Sequence, residues 1–317
     1  MKAVFSLLST LDSYSRFYKN KNLLVEMLMV SSHLAQKSGF KTCLVYDEFF
    51  DLPSDCGKVF DEIKIIPKEE IYNMKLPNIA GRTISKLLCL KSINEPFIYL
   101  DPGVILYKEK IKQVLEKQKD CFVYHDLDGN DDFKDEIVKQ SSMLGLDISS
   151  FVANQVFSST EIIGGSNYML INNASSRLLE FIINNGAYLE KELLENKLFN
   201  EKLICDRLID LDDIINNYWL PSFLYSETGL EVSNLVIFGN ELTSNAVRSI
   251  IELEAGVETG SLNNSDSKNV NSVHRKMIKR VFNYKTGIMS INPFQDGDAE
   301  ILKKIKEKIL NTSQAVS

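Results

Sequence analysis

At 317 residues, with 44% apolar and 25% charged side chains, the chain can bury a large core as one big domain or two closely merged ones. Lys plus Arg number 36 against 43 Asp plus Glu, a net charge of -7, which excludes the overall positive field that holds nucleic acid or an anionic membrane. Any phosphate the chain binds must be met by a local basic cluster.

The chain opens with an apolar strand over 2–8, centred on Val4 and Phe5, followed by a polar loop over 9–16. The apolar run is short, is broken by Ser6 and soon reaches Asp12 and Arg16, so it reads as a first strand and not as a signal peptide. A helix follows over 22–35, where Leu23, Leu24, Met27, Leu28 and Leu34 recur at helical spacing before the stop signal Ser38-Gly39. Residues 42–46 predict a second buried strand with Asp47 at its carboxyl end, and 59–66 a third, ended by Pro67. A helix over 80–91 turns Ile84, Leu87 and Leu88 inward, and 97–100 is the fourth strand. This alternation predicts an α/β fold, a mixed but mostly parallel sheet flanked by helices. Ligands of such sheets sit outside the carboxyl ends of the strands, where Asp47 and Asp101 both fall.

Further along, 121–124 is a strand candidate leading into the polar tract 125–135. Residues 168–171 read as a strand after Gly164-Gly165, 175–183 as a helix, and 193–211 as helical with mixed faces. The stretch 255–272, rich in Gly, Ser, Asn and Asp, predicts a mobile loop. Ile301, Leu302, Ile305 and Ile309 form one face of a helix over 299–310. The resulting organisation is one domain over 1–290 and a C-terminal helical tail over 291–317. Five scattered cysteines, several within apolar runs, suit buried free thiols in a reducing, cytoplasmic setting, and no stretch approaches the length of a membrane span.

Three segments carry candidate chemistry. In the first, Ser85-Lys86-Leu87 on a helix precedes Pro96-Phe97-Ile98-Tyr99-Leu100-Asp101-Pro102-Gly103-Val104-Ile105-Leu106. A Lys-Leu pair followed by an apolar strand that ends in Asp and resumes as Val-Ile-Leu resembles the core of glycosyltransferases of the GT-A type. It implies a GT-A-like fold, and a site where an Asp-x-Asp pair holds Mn²⁺ or Mg²⁺ against the diphosphate of a nucleotide sugar. The motif is degenerate here, with Pro102 in the middle and Gly103 in the second acidic position, so Asp101 is the surviving carboxylate. On local grounds Asp101 reads equally as the capping side chain of a tight turn between two short strands.

In the second, Ile162-Ile163-Gly164-Gly165-Ser166-Asn167-Tyr168-Met169-Leu170-Ile171-Asn172 resembles the Gly-containing stretch that lines the sugar side in this superfamily. The likeness implies Gly164 and Gly165 approaching the sugar, with Ser166 and Asn167 bonding its hydroxyls. A Gly-Gly turn feeding a buried strand is the alternative. In the third, Val273-His274-Arg275-Lys276-Met277-Ile278-Lys279-Arg280 resembles a C-terminal segment in which a His joins the metal and a Lys meets the diphosphate. It implies His274 beside Asp101 as a metal ligand, and Lys276, Lys279 and Arg280 as diphosphate contacts. A solvated basic helix face is the alternative.

The three segments occur in the order expected of a GT-A domain, and the loop at Ser9 fits its uridine-side turn. The opening Met1-Lys2-Ala3-Val4-Phe5-Ser6-Leu7 is also similar to uncharacterised bacterial glycosyltransferase-like proteins. The resemblance spans 1–280 and implies transfer of a sugar from a nucleoside diphosphate donor, a UDP-sugar favoured, to an unidentified hydroxyl acceptor. Glu201 and Asp206 are candidate general bases for that hydroxyl. Two other readings stay open: a GT-A-fold binding or sensor protein without activity, and a nucleotidyltransferase on a similar sheet. No P-loop, dinucleotide fingerprint, nucleophile elbow or zinc spacing is present.

Overall fold

The structure is a computed structural model that describes residues 1–7, 21–77, 81–101, 104–106, 110–116, 121–125, 134–149, 152, 158–194, 211–228, 233–236, 239–240, 281–282, 288–290, 306–307 and 310. Strand β1 (Lys2–Leu7) is buried along its whole length, as a strand covered on both faces must be. It lies between parallel neighbours β2 (Lys41–Asp47) and β4 (Phe97–Leu100). Strand β3 (Glu62–Ile66) extends the parallel part beyond β2. On the other side β7 (Ser158–Gly165) runs antiparallel to β4, β6 (Phe122–His125) antiparallel to β7, and β8 (Ser233–Val236) parallel to β6. The strand order is β3-β2-β1-β4-β7-β6-β8, the mixed, mostly parallel sheet that the alternation predicts. Outside it, β5 (Val104–Leu106) pairs antiparallel with β11 (Ile288–Ser290), and β9 (Gly239–Asn240) with β10 (Val281–Phe282).

Helix α1 (Lys21–Lys37) packs on β1, β2 and β5, and ends where Gly39 takes φ +86°, a conformation that a side chain would strain. After the short α2 (Lys68–Asn73) comes α3 (Gly81–Ser92), which packs on β1 and buries Ile84, Leu87, Leu88 and Leu90. Helices α4 (Lys110–Glu116) and α5 (Lys134–Met143) precede the long α6 (Tyr168–Leu194), which packs against α3. The last helical run begins as α7 (Leu211–Ile214), widens into a π-turn over Ile215–Trp219, and continues as α8 (Leu220–Thr228) against α6 and β7. Cys43, Cys56 and Cys89 are free and buried, and Cys121 is buried; burial pushes the Cys43 thiol up to about 12 and the Cys56 thiol up to about 11.

Two expected elements are corrected. The strand expected over 168–171 is the first turn of α6, and the true strand is its predecessor β7, which ends at Gly165. The run Tyr168-Met169-Leu170-Ile171 is too short to show its period. Read with Ala174, Leu178, Leu179 and Ile182, all buried with Ile171, it carries helical spacing. The third strand starts at Glu62 instead of at 59, because Val59 caps a 3₁₀ turn over Ser54–Lys58 and sends its N–H to the Cys56 carbonyl. Residues 195–210 of the helix expected over 193–211, the loop over 255–272 and most of 299–310 lie outside the described residues.

Gly186 lies inside α6, where replacing Gly by Ala ordinarily stabilises a helix by up to about 1 kcal/mol. A Cβ there would stand 2.9 Å from Pro77 Cβ and 3.2 Å from its Cγ. Gly186→Ala is therefore expected to destabilise the fold, by about 1–3 kcal/mol, against the sign of helix propensity. Gly57→Ala, where a Cβ meets nothing within 4 Å, should stay within about 0.5 kcal/mol of the parent. Urea denaturation of both variants checks this; a stabilised Gly186→Ala would show that the contact with Pro77 yields freely.

Candidate functional site

In an open α/β sheet the ligand crevice forms at the carboxyl ends of the strands, where successive connections leave in opposite directions. The parallel strands place that point between β1 and β4, since β2 and β3 lie to one side of β1 and β4 to the other. Asp101 directly follows β4 there. Ser9, two residues beyond β1 in the sequence, lies outside the described residues, as do Gly103, Glu201, Asp206, His274, Lys276, Lys279 and Arg280.

The Asp101 backbone closes a tight turn: its carbonyl accepts the Val104 N–H at 3.0 Å, and its own N–H donates to the Glu161 carbonyl at 2.9 Å. The turn expected on local grounds is present. The carboxylate faces the Lys86 ammonium, with Oδ1 at 2.9 Å and Oδ2 at 3.1 Å from Nζ. Lys86 comes from the inward face of α3 and is 1% exposed at its side chain, whereas Asp101 is 16% exposed and reachable from outside. The ammonium also donates to the Thr160 carbonyl on β7 at 3.0 Å and to Asn216 Oδ1 in the π-turn at 2.9 Å.

An ammonium has three hydrogens. The Asp101 carboxylate, the Thr160 carbonyl and the Asn216 amide oxygen supply three close acceptors, and Thr160 Oγ1 a longer one at 3.4 Å. The ring of Tyr99 on β4 lies 5.4 Å below the ammonium, and its hydroxyl is 2.8 Å from Ser6 Oγ on β1. Thr160 Oγ1 lies 3.0 Å from the Asn216 carbonyl and 3.1 Å from Asn216 Oδ1. Asn216 Nδ2 donates to Thr83 Oγ1 on α3 at 2.9 Å. Five elements, α3, β1, β4, β7 and the π-turn, thus meet in one polar cluster whose only charged pair among these residues is Lys86 and Asp101.

The other sequence candidates are placed differently. Gly164 and Gly165 pair with Ile98 and Phe97, so β7 carries them and the following Ser166 and Asn167 to the amino end of β4. Three residues of strand, about 10 Å, separate the Gly164 register from Asp101. The sheet does not bring 164–167 together with Asp101. Asn172, within the same segment, sends its amide to the Ile93 carbonyl at the end of α3. Asp47 is fully buried, and its Oδ1 accepts the Phe49 N–H at 3.0 Å to close the turn after β2. Thr83, Tyr99, Thr160 and Asn216 escaped the sequence reading. Little in the sequence marked them: Thr160 sits in the polar start Ser158-Ser159-Thr160-Glu161 of β7, and Asn216 with Asn217 interrupts Ile214-Ile215 and Tyr218-Trp219-Leu220.

Among the described residues no three His, Cys, Asp or Glu side chains come together. Asp101 has both oxygens on Lys86, so the described residues alone do not make a site for resident Mn²⁺ or Mg²⁺, which take several oxygen ligands.

Neither a family model nor a curated protein sequence matches the chain. Among solved structures it is similar to an active-site variant of LgtC, at 10% identity and a TM-score of 0.43, over 97% of this chain and 95% of that one. It is also similar to the galactosyltransferase LgtC in complex with donor and acceptor sugar analogues, at 11% identity and a TM-score of 0.37, over 83% and 98%. Mouse xyloside xylosyltransferase 1 in its apo form gives 10% identity and a TM-score of 0.35, over 74% and 84%. These values assign no activity, and the reading of the site rests on its own geometry.

Asp101→Asn would leave a fully buried ammonium with neutral acceptors alone, and breaking a buried pair in this way costs about 3–5 kcal/mol. Lys86→Met leaves a carboxylate that water already reaches, so its cost should be smaller, on the order of 1–3 kcal/mol after allowing for hydration. The double variant should lose less than the sum, since the residues share one interaction. Denaturant melts of the three proteins check the ranking; equal losses in the two single variants would mean that water reaches the ammonium as readily as the carboxylate.

Proposed function

We propose that the chain is a glycosyltransferase that moves a sugar from a nucleoside diphosphate donor, a UDP-sugar favoured, to a hydroxyl acceptor, with the donor seated in the crevice beside Asp101. The observation that carries this reading is the carboxylate at the β1/β4 switch point, aimed and neutralised by a buried lysine. A bare carboxylate about 4 Å from a diphosphate charge would repel it by roughly 4 kcal/mol at an effective dielectric of 20. Paired with Lys86, Asp101 keeps its hydrogen-bond acceptors for ribose or sugar hydroxyls without that repulsion. The likeness of the 85–106 segment to the GT-A core supports the same placement.

The leaving diphosphate needs positive charge, and His274, Lys276, Lys279 and Arg280 are the residues proposed to supply it. Chain connection favours this: β10 begins directly after Arg280, and β11 follows to pair with β5, the strand that resumes after the Asp101 turn. Glu201 and Asp206, a few residues before α7, remain the proposed general bases, and Gly164 to Asn167 lie too far along β7 to share the Asp101 contact. When a diphosphate brings further oxygens, Mn²⁺ or Mg²⁺ would add charge at the same place.

Thermal denaturation with millimolar UDP, UDP-sugars, NAD or duplex DNA, each with and without Mn²⁺, tests the reading. UDP should raise the midpoint by several degrees, since ligand at 100 times its dissociation constant adds about 2.7 kcal/mol. Mn²⁺ should enlarge the UDP shift and do little alone, and NAD and DNA should do nothing. A protein indifferent to every nucleoside diphosphate and nucleotide sugar is not the proposed transferase.

A further inference from the structure

The π-turn over Ile215–Trp219 is an irregular piece of backbone beside Thr160 and Lys86. A π-turn admits one extra residue per hydrogen-bonded ring, which rotates its side chains relative to the flanking helix and frees a carbonyl. Here both consequences fall on Asn216. Its carbonyl accepts from Thr160 Oγ1, its side-chain oxygen accepts from Lys86, and its side-chain nitrogen donates to Thr83. The amide orientation is forced, because an ammonium can only donate and must face the oxygen. Asn216 is 6% exposed, and Thr160 and Thr83 are fully buried, so water does not supply substitutes.

We propose that Asn216 is a positioning residue of the site: the π-turn holds its amide so that the Lys86 ammonium keeps a fixed direction, and Lys86 in turn fixes the Asp101 carboxylate toward the crevice. Asn216 touches no ligand itself. An amide suits the task where a carboxylate would not. With Asp at 216, two carboxylates would share one ammonium, Asp101 would lose part of its compensation, and the donation to Thr83 would be gone. With Ala, the ammonium would lose its 2.9 Å acceptor and keep on that side only the longer 3.4 Å contact to Thr160 Oγ1, a weaker hold that lets Lys86 swing. The link from Asn216 to Lys86 stands on geometry alone. The consequence for donor binding rests on the transferase reading given above.

The experiment reads both links separately. In ¹⁵N-lysine-labelled protein, hydrogen exchange of the Lys86 ammonium reports its hold, and titration with UDP reports the site. Ser141→Ala serves as the control, since it removes the 2.9 Å hydrogen bond from Trp219 Nε1 at the far end of the same π-turn and leaves the Asn216 partners in place. Asn216→Ala is expected to speed Lys86 exchange at least tenfold and to weaken UDP about tenfold. Ser141→Ala should lower the melting midpoint while leaving exchange and UDP affinity near the parent values. Asn216→Asp should keep Lys86 exchange slow yet weaken UDP, because the ammonium stays bonded while the site gains negative charge. The proposal is overturned if Lys86 exchange in Asn216→Ala matches the parent, or if Asn216→Ala and Ser141→Ala change exchange and affinity alike, as a purely structural role requires. Should the parent itself not bind UDP, the donor reading falls, and Lys86 exchange alone still decides the role of Asn216.

Discussion

A buried ammonium is tolerable only when its charge meets an opposite one and each hydrogen meets an acceptor. Lys86 imposes that condition on four separate pieces of chain. Helix α3 brings the ammonium, the end of β4 brings the carboxylate, β7 a carbonyl, and the π-turn an amide oxygen. A shift of any one by a single residue would leave a charge or a hydrogen unmet. The cluster therefore fixes the register between the parallel part of the sheet, the antiparallel strand beside it and the last helical run.

The same condition explains why the π-turn persists. Widening a helix gives up good hydrogen-bond geometry, and here the return is local and visible. The freed Asn216 carbonyl bonds Thr160, and Trp219 is fully buried, edge-on to Phe181 at 5.5 Å, with its indole N–H on Ser141. The turn is pinned by an apolar anchor at one end and a polar cluster at the other. By contrast, the lysine at the opposite edge of the sheet has a simpler solution. Lys2 is bonded by Glu62 and Glu95; burial lowers its pKa, the two carboxylates raise it more, and it stands above the usual value of 10.5. Both glutamates are about half exposed, at 48% and 51%, so that edge is a solvated ion cluster. Only at the Lys86 edge is one carboxylate reachable and the rest of the cluster sealed.

Period and punctuation made much of the fold legible. Four strands, two long helices and the Gly39 stop follow from apolar spacing, because in a doubly covered parallel sheet those residues have nowhere to go but inward. Lys86 could be named because the Lys-Leu pair before the strand resembles the GT-A core, and Asp101 because of the same resemblance and its place at the carboxyl end of a strand. That they bond each other could not be read, since fifteen residues of helix, loop and strand separate them. Thr160 and Asn216 were illegible for a related reason. Thr160 is one of four polar residues at the start of its strand and Asn216 one of two adjacent asparagines, and only the tertiary fold shows that the partner of each is a buried cation.

The displaced sugar segment has a geometric cause. Two glycines before an apolar run suggested a turn feeding a strand, which would have put 164–167 at the strand's start. Because β7 is antiparallel to β4, the start of β7 lies at the carboxyl edge of the parallel strands and its end at the amino edge. The apolar residues that identify β7 are Ile162 and Ile163, which precede the glycines, so the glycines close the strand instead of opening it. The carboxyl edge of the parallel strands therefore receives the polar start Ser158-Ser159-Thr160-Glu161, whose backbone already holds Asp101 through the Glu161 carbonyl and Lys86 through the Thr160 carbonyl. Strand direction, which apolar period does not encode, decides which end of the same eight residues lies beside Asp101.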